Sequence, residues 1–127
     1  MMQFKKRKRE PQISRTEALD CKPFKSTEVT ETRLETGEVL LVYSIRVRPW
    51  FAGLVKRFGG PDGQTYTKKI QLDLLGTATW DLIDDNRSVR QIIKKFARNH
   101  QLHPREAEVA VTGFLRDLGK RGLIGLR

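Results

Sequence analysis

The feature that most restricts this chain is a change of hydrophobic period at Leu72. Before it, apolar side chains recur at every second position: Val39, Leu41, Tyr43, Ile45 and Val47 share one face of an extended segment, with Leu40, Val42, Ser44 and Arg46 on the other. Beyond it the spacing becomes helical. A chain that alternates first and winds afterwards places a sheet ahead of a set of helices, which makes it an α+β protein.

The strand half divides at its turns. Residues 28–34 are rich in Thr and Val, Glu35-Thr36-Gly37-Glu38 supplies a glycine where a tight turn needs positive φ, and residues 39–47 alternate, so the two runs form a hairpin. A third strand over residues 65–72 places Tyr66, Lys68, Ile70 and Leu72 on one side and Thr67, Lys69 and Gln71 on the other. Between them, residues 49–63 are an insertion. Trp50, Phe51, Leu54, Val55 and Phe58 follow helical spacing there, and Gly59-Gly60-Pro61-Asp62-Gly63 closes the segment with a strong loop signal.

Three helices are placed by their caps. Asp73 is the N-cap of the first, whose buried residues are drawn from Leu74, Leu75, Ala78, Trp80, Leu82 and Ile83. Asp84-Asp85-Asn86 makes a turn, and Ser88 caps a second helix over residues 89–100 with Val89, Ile92, Ile93, Phe96 and Ala97 as its apolar stripe. Pro104 suits the first turn of a third, in which Ala107, Val111, Phe114 and Leu118 form a core stripe. Gly122 fits the helix end, and residues 123–126 add a short extended tail.

Length and charge bound the function. With 127 residues the chain has room for one core. Its net charge of +10 is uneven, since the first 25 residues carry eight basic and three acidic side chains, and this stretch has no helical or strand period. It reads as a basic, flexible N-terminal arm over residues 1–25 ahead of a folded domain over residues 26–127. Cys21 is the only cysteine, which rules out an internal disulfide, and with only His100 and His103 beside it no metal site is expected. No run approaches the ~20 apolar residues of a membrane span, and the expected location is the cytoplasm. No nucleophile, base or phosphate loop stands at a recognisable spacing, so neither enzyme activity nor a cofactor is expected. The acidic pairs Asp84/Asp85 and Glu106/Glu108 are read as turn and helix-start residues.

Binding surfaces are what remain. The outer edge of the third strand offers backbone donors and acceptors to an extended peptide, with Tyr66, Lys68 and Ile70 beside it. The third helix has a second face, Val109, Thr112, Gly113, Arg116 and Lys120, that completes the candidate peptide site. Gly113 costs a helix about 1 kcal/mol relative to alanine, which points to close approach by a ligand or by a neighbouring element. The alternative ligand is nucleic acid, held by Arg87, Arg90, Lys94 and Arg98 in the region of the second helix, whose other face is apolar. The segment from Trp50 to Phe58 could also dock on a membrane surface or a larger enzyme.

The C-terminal half carries a resemblance. Thr79-Trp80-Asp81-Leu82-Ile83-Asp84-Asp85-Asn86-Arg87-Ser88-Val89-Arg90-Gln91-Ile92-Ile93, followed by Phe114-Leu115-Arg116-Asp117-Leu118-Gly119-Lys120-Arg121-Gly122-Leu123-Ile124, resembles the family of pyrroloquinoline quinone biosynthesis protein D. The resemblance implies a winged-helix-like fold, a three-stranded antiparallel sheet followed by a three-helix bundle. It also implies a module that recognises the leader of a ribosomally made precursor peptide and presents it to a modifying enzyme of the radical S-adenosylmethionine type. The leader would then lie beside the third strand and against the third helix. Asp85 departs from the family, which commonly has glycine there; aspartate enters the left-handed region, though less freely. The basic arm and the 49–63 insertion are additions to the compact family form.

Overall fold

The computed structural model describes residues 14–47 and 64–127. In chain order these form α1 (Arg15–Asp20), β1 (Pro23–Lys25), β2 (Thr30–Arg33), β3 (Val39–Val47), β4 (Gln64–Gln71), α2 (Leu74–Asp81), α3 (Val89–His100), α4 (Pro104–Lys120) and β5 (Ile124–Leu126). The inserted segment expected at residues 49–63 and the basic run at residues 5–9 lie outside the described residues.

The main sheet is antiparallel in the order β2-β3-β4, with β3 central. Alternation in β3 sets its two faces: Val39, Leu41 and Tyr43 are buried, with Ile45 packed against the same core. Gly37 turns the β2–β3 hairpin at φ +91°, a conformation that favours glycine. The helices cover the inner face. Trp80, Phe96, Ile92, Val111 and Leu118 are almost wholly buried beside Leu41, each side chain contributing about 1.5–3 kcal/mol by leaving water.

Caps fix the helix limits where the sequence places them. Asp73 accepts from the Gly76 N–H at 2.6 Å. Ser88 and Gln91 form a reciprocal capping box: the Ser88 hydroxyl accepts from the Gln91 N–H at 3.1 Å, and the Gln91 side chain accepts from the Ser88 N–H at 2.8 Å. Pro104 opens α4, and Gly122 at φ +75° closes it, with the Leu123 N–H reaching back to the Leu118 carbonyl and the Gly122 N–H to that of Gly119. Asp85 takes φ +64°, the left-handed conformation expected of it.

Two expectations are corrected and one is narrowed. The stretch read as an arm to residue 25 is structured from residue 14 on. Ser14 caps α1 by accepting from the Glu17 N–H, Leu19 enters the core, and β1 pairs with β5, Phe24 opposite Gly125. The two ring-flanking glycine and phenylalanine positions fit closely, since a Cβ on Gly125 would stand 2.5 Å from the Phe24 ring. In α2, Leu74 and Leu75 are exposed while Trp80, Leu82 and Ile83 are buried, because the helix presents its first turn to solvent. On α4, Leu115 is buried with Ala107, Val111 and Leu118, whereas Phe114 is only half-buried at the edge of the stripe.

Candidate functional site

The hydrogen-bond alternation of an antiparallel ladder decides which backbone groups of β4 are free. The Leu72 N–H donates to the Val39 carbonyl at 2.8 Å. Going back along the ladder, Ile70, Lys68 and Tyr66 stand opposite Leu41, Tyr43 and Ile45 and turn their N–H and C=O groups toward β3. Thr67, Lys69 and Gln71 therefore direct theirs outward. Among the described residues no strand pairs with that outer edge.

The side chains alternate with the backbone. Tyr66, Lys68 and Ile70 share the helix-facing side of the sheet; Tyr66 and Lys68 are exposed, and Ile70 packs partly on the core. These three expected site residues stand together. The five expected on α4 do not join them as a group. The flank of α4 that meets α2 carries Ala110 and Phe114, which border an open pocket of about 160 Å³ with Asp73, Leu75, Gly76, Thr79 and Phe96. Just past its end, Arg121 donates to the Tyr43 hydroxyl at 3.3 Å, across from Lys68 in the ladder. Thr112 and Arg116 face the opposite flank, toward α1 and β5. Val109 and Lys120 lie exposed on the outer surface between the two flanks.

Gly113 does not reflect tight packing inside the domain, since a Cβ there would meet open space among the described residues. Between α2 and α4 it is Gly76 that a close approach requires. A Cβ at Gly76 would stand 3.0 Å from both the Phe114 ring and the Asp73 carboxylate. Leu75, Ala110 and Phe114 line this pocket between α2 and α4, Arg121 reaches Tyr43, and sequence reasoning had assigned none of the four to a site. The i, i+4, i+11 spacing of Ala110, Phe114 and Arg121 was the available signal.

Electrostatics separate the basic stripe into two parts. The Arg87 guanidinium donates to the Leu82 carbonyl at 3.2 Å and pairs with Asp84, and Arg90 pairs with Asp20 at 3.4 Å. Lys94 and Arg98 are exposed and make no ion pair among the described residues. Asp84 accepts from the N–H groups of Arg87 and Asn86, and these, led by Arg87, hold its carboxyl below the usual carboxylate range, with help from the Arg87 charge. The stripe is thus partly engaged within the fold and is not a continuous row of available cations.

Among the described residues no cluster of His, Cys, Asp or Glu is placed to hold a metal ion, and no helix is long and apolar enough to cross a membrane. Comparisons with curated proteins and with solved structures returned no match. A family model described as Coenzyme PQQ synthesis protein D (PqqD) matches residues 60–124, from four residues ahead of β4 to the first residue of β5. That match spans just over half of the chain and takes in β4, α2, α3 and α4, and so this chain belongs to the PqqD family.

Proposed function

We propose that this protein is a non-catalytic peptide-binding module. It takes the leader of a ribosomally synthesised precursor peptide as an added strand on β4 and presents the peptide to a modifying enzyme, of radical S-adenosylmethionine type. The observation that carries this reading is the outward-directed row of Thr67, Lys69 and Gln71 backbone groups on an eight-residue edge strand. Backbone pairing would supply affinity without regard to sequence. Selectivity would come from Tyr66, Lys68 and Ile70 on one side and from Phe114 and Arg121 on the other.

The opposite edge of the sheet is a poorer acceptor. β2 has only four residues, and its inward side chains are committed to α2: Glu31 accepts from the Trp80 indole at 2.7 Å, and Arg33 pairs with Asp81 at 2.9 Å. Val109, Thr112, Gly113, Arg116 and Lys120 then belong to surfaces beyond the leader groove. A protein of this kind works where precursor peptides are made, in the cytoplasm. The test is titration of the ¹⁵N-labelled protein with leader peptides encoded by neighbouring reading frames. Binding should shift the amides of Thr67, Lys69 and Gln71 first; a folded protein that binds none of these peptides would sink the reading.

A further inference from the structure

We propose that the groove between α1 and α4 is a second docking surface, built for a segment of a partner protein in which apolar side chains stand next to carboxylates. It lies on the flank of α4 turned away from β4. The groove has two halves. The apolar half is a cavity of about 500 Å³ whose floor is Leu19, Leu115 and Ile124 and whose rim is Thr112, Gly119 and the exposed Leu126. The second half, about 370 Å³, has Ile93 and Pro104 for its apolar wall and is otherwise ringed by Arg90, Lys94, His103 and Arg105. Arg15, Leu19 and Glu108 line both cavities, so the two halves meet at the ion pair of Arg15 with Glu108.

The wall that makes this groove is α1, a six-residue helix too short to hold itself. Leu19 anchors it in the core, the Val89 N–H donates to the Cys21 carbonyl at 2.8 Å, and Asp20 accepts from Arg90. Arg15 reaches across to Glu108 through two donors. These ties hold an apolar trough open along the helix pair.

Charge decides the occupant. Around the second half, Arg15 and Arg90 are matched by Glu108 and Asp20, while Lys94 and Arg105 have no ion-pair partner among the described residues, nor has Arg116 at the apolar end. The Glu108 carboxyl is held below the usual carboxylate range by Arg15 first, and by Arg105 and Arg90 beyond it, as expected where several guanidinium groups surround one carboxylate. The surplus is positive. It repels the chain's own Lys5-Lys6-Arg7-Lys8-Arg9 run and a second copy of a protein of net charge +10. Nucleic acid matches the cations and leaves the apolar trough empty. An acidic segment with leucine or phenylalanine anchors satisfies both halves.

The test uses the full chain and a fluorescein-labelled peptide with a leucine- and phenylalanine-rich centre flanked by glutamates. Two variants report on the two halves. Gly119→Leu fills the trough from a position where an added Cβ meets open space, and Lys94→Glu with Arg105→Glu reverses the surplus charge. We expect anisotropy to show binding that each variant weakens about tenfold or more, and that a peptide with lysine in place of glutamate does not bind. Gly119→Leu should keep or raise the thermal midpoint, which separates a blocked groove from a damaged fold. Absence of binding, binding that ignores both variants, or amide shifts confined to β4 would overturn the proposal. So would stronger, variant-sensitive binding to phosphatidylglycerol vesicles than to the peptide.

Discussion

Lys69→Pro separates a backbone edge from a side-chain site. Ladder alternation turns the Lys69 N–H away from β3, so proline at this position removes an outward donor and leaves the β3–β4 hydrogen bonds in place. A leader strand seated on the edge would then have one carbonyl without a partner in a site that excludes water. An unmet group of that kind costs about 1–3 kcal/mol, which is about 5- to 150-fold in affinity. Proline also fills space where the added strand would approach to about 4.8 Å. Lys68→Pro, one residue away, deletes a donor that faces β3 and should cost the fold about 1–3 kcal/mol while acting on binding only through that instability. The assay pairs thermal unfolding followed by circular dichroism with isothermal titration of a leader peptide. The reasoning is refuted if folded Lys69→Pro binds as tightly as the parent, or if Lys69→Ala weakens binding as much as Lys69→Pro does.

Four further outcomes are expected. Gly113→Ala should stabilise the protein by about 0.5–1 kcal/mol, since the site is open and helical, whereas Gly76→Leu should destabilise it by about 1–3 kcal/mol through collision with Phe114 and Asp73; chemical denaturation measures both. Ser88→Ala should lose about 1 kcal/mol with its half of the capping box, seen as a lower denaturation midpoint at unchanged slope. Asp84 has a lowered pKa in the fold, so its contribution is present above the ordinary carboxylate range and is lost as pH falls through the depressed value. The acid limb of a melting-temperature profile should therefore be shallower in Asp84→Asn, which keeps the turn acceptor but not the charge.

How much of this was legible depended on whether the signal was local. The bounds of β3 followed from alternation alone, and α2, α3 and α4 from Asp73, Ser88 and Pro104, because a cap acts within one turn of its own helix. The left-handed turn at Asp85 was readable through the resemblance, which has glycine there. Ser14-Arg15-Thr16-Glu17 has the spacing of a capped helix start, yet the six residues of the helix, Arg15–Asp20, carry too little apolar period to stand out, and Leu19 is buried only because α3 and α4 are there. β1 and β5 have three residues each, and a pairing across the length of the chain leaves no mark in either. Of the candidate surface, only the placement along β4 was legible. Strand period put Tyr66, Lys68 and Ile70 on one side, but helical period on α4 gives faces without saying which neighbour lies on which flank. Thr112 and Arg116 were thus grouped with β4, although they border α1 and β5.

The pairing of β1 with β5 bears on the order in which the protein is completed during synthesis. Lys22 and Arg127 exchange two backbone hydrogen bonds, at 2.9 and 3.0 Å, and the Ser26 N–H donates to the Leu123 carbonyl. Until residues 123–127 have left the ribosome, β1 lacks the strand it pairs with in the fold, and α1 is held by Leu19, Asp20 and Cys21 and by Arg15 on Glu108. The β4 edge needs none of that late segment. A nascent chain could therefore present its strand edge before the trough beside α1 exists, and the two surfaces would become available to their ligands in that sequence.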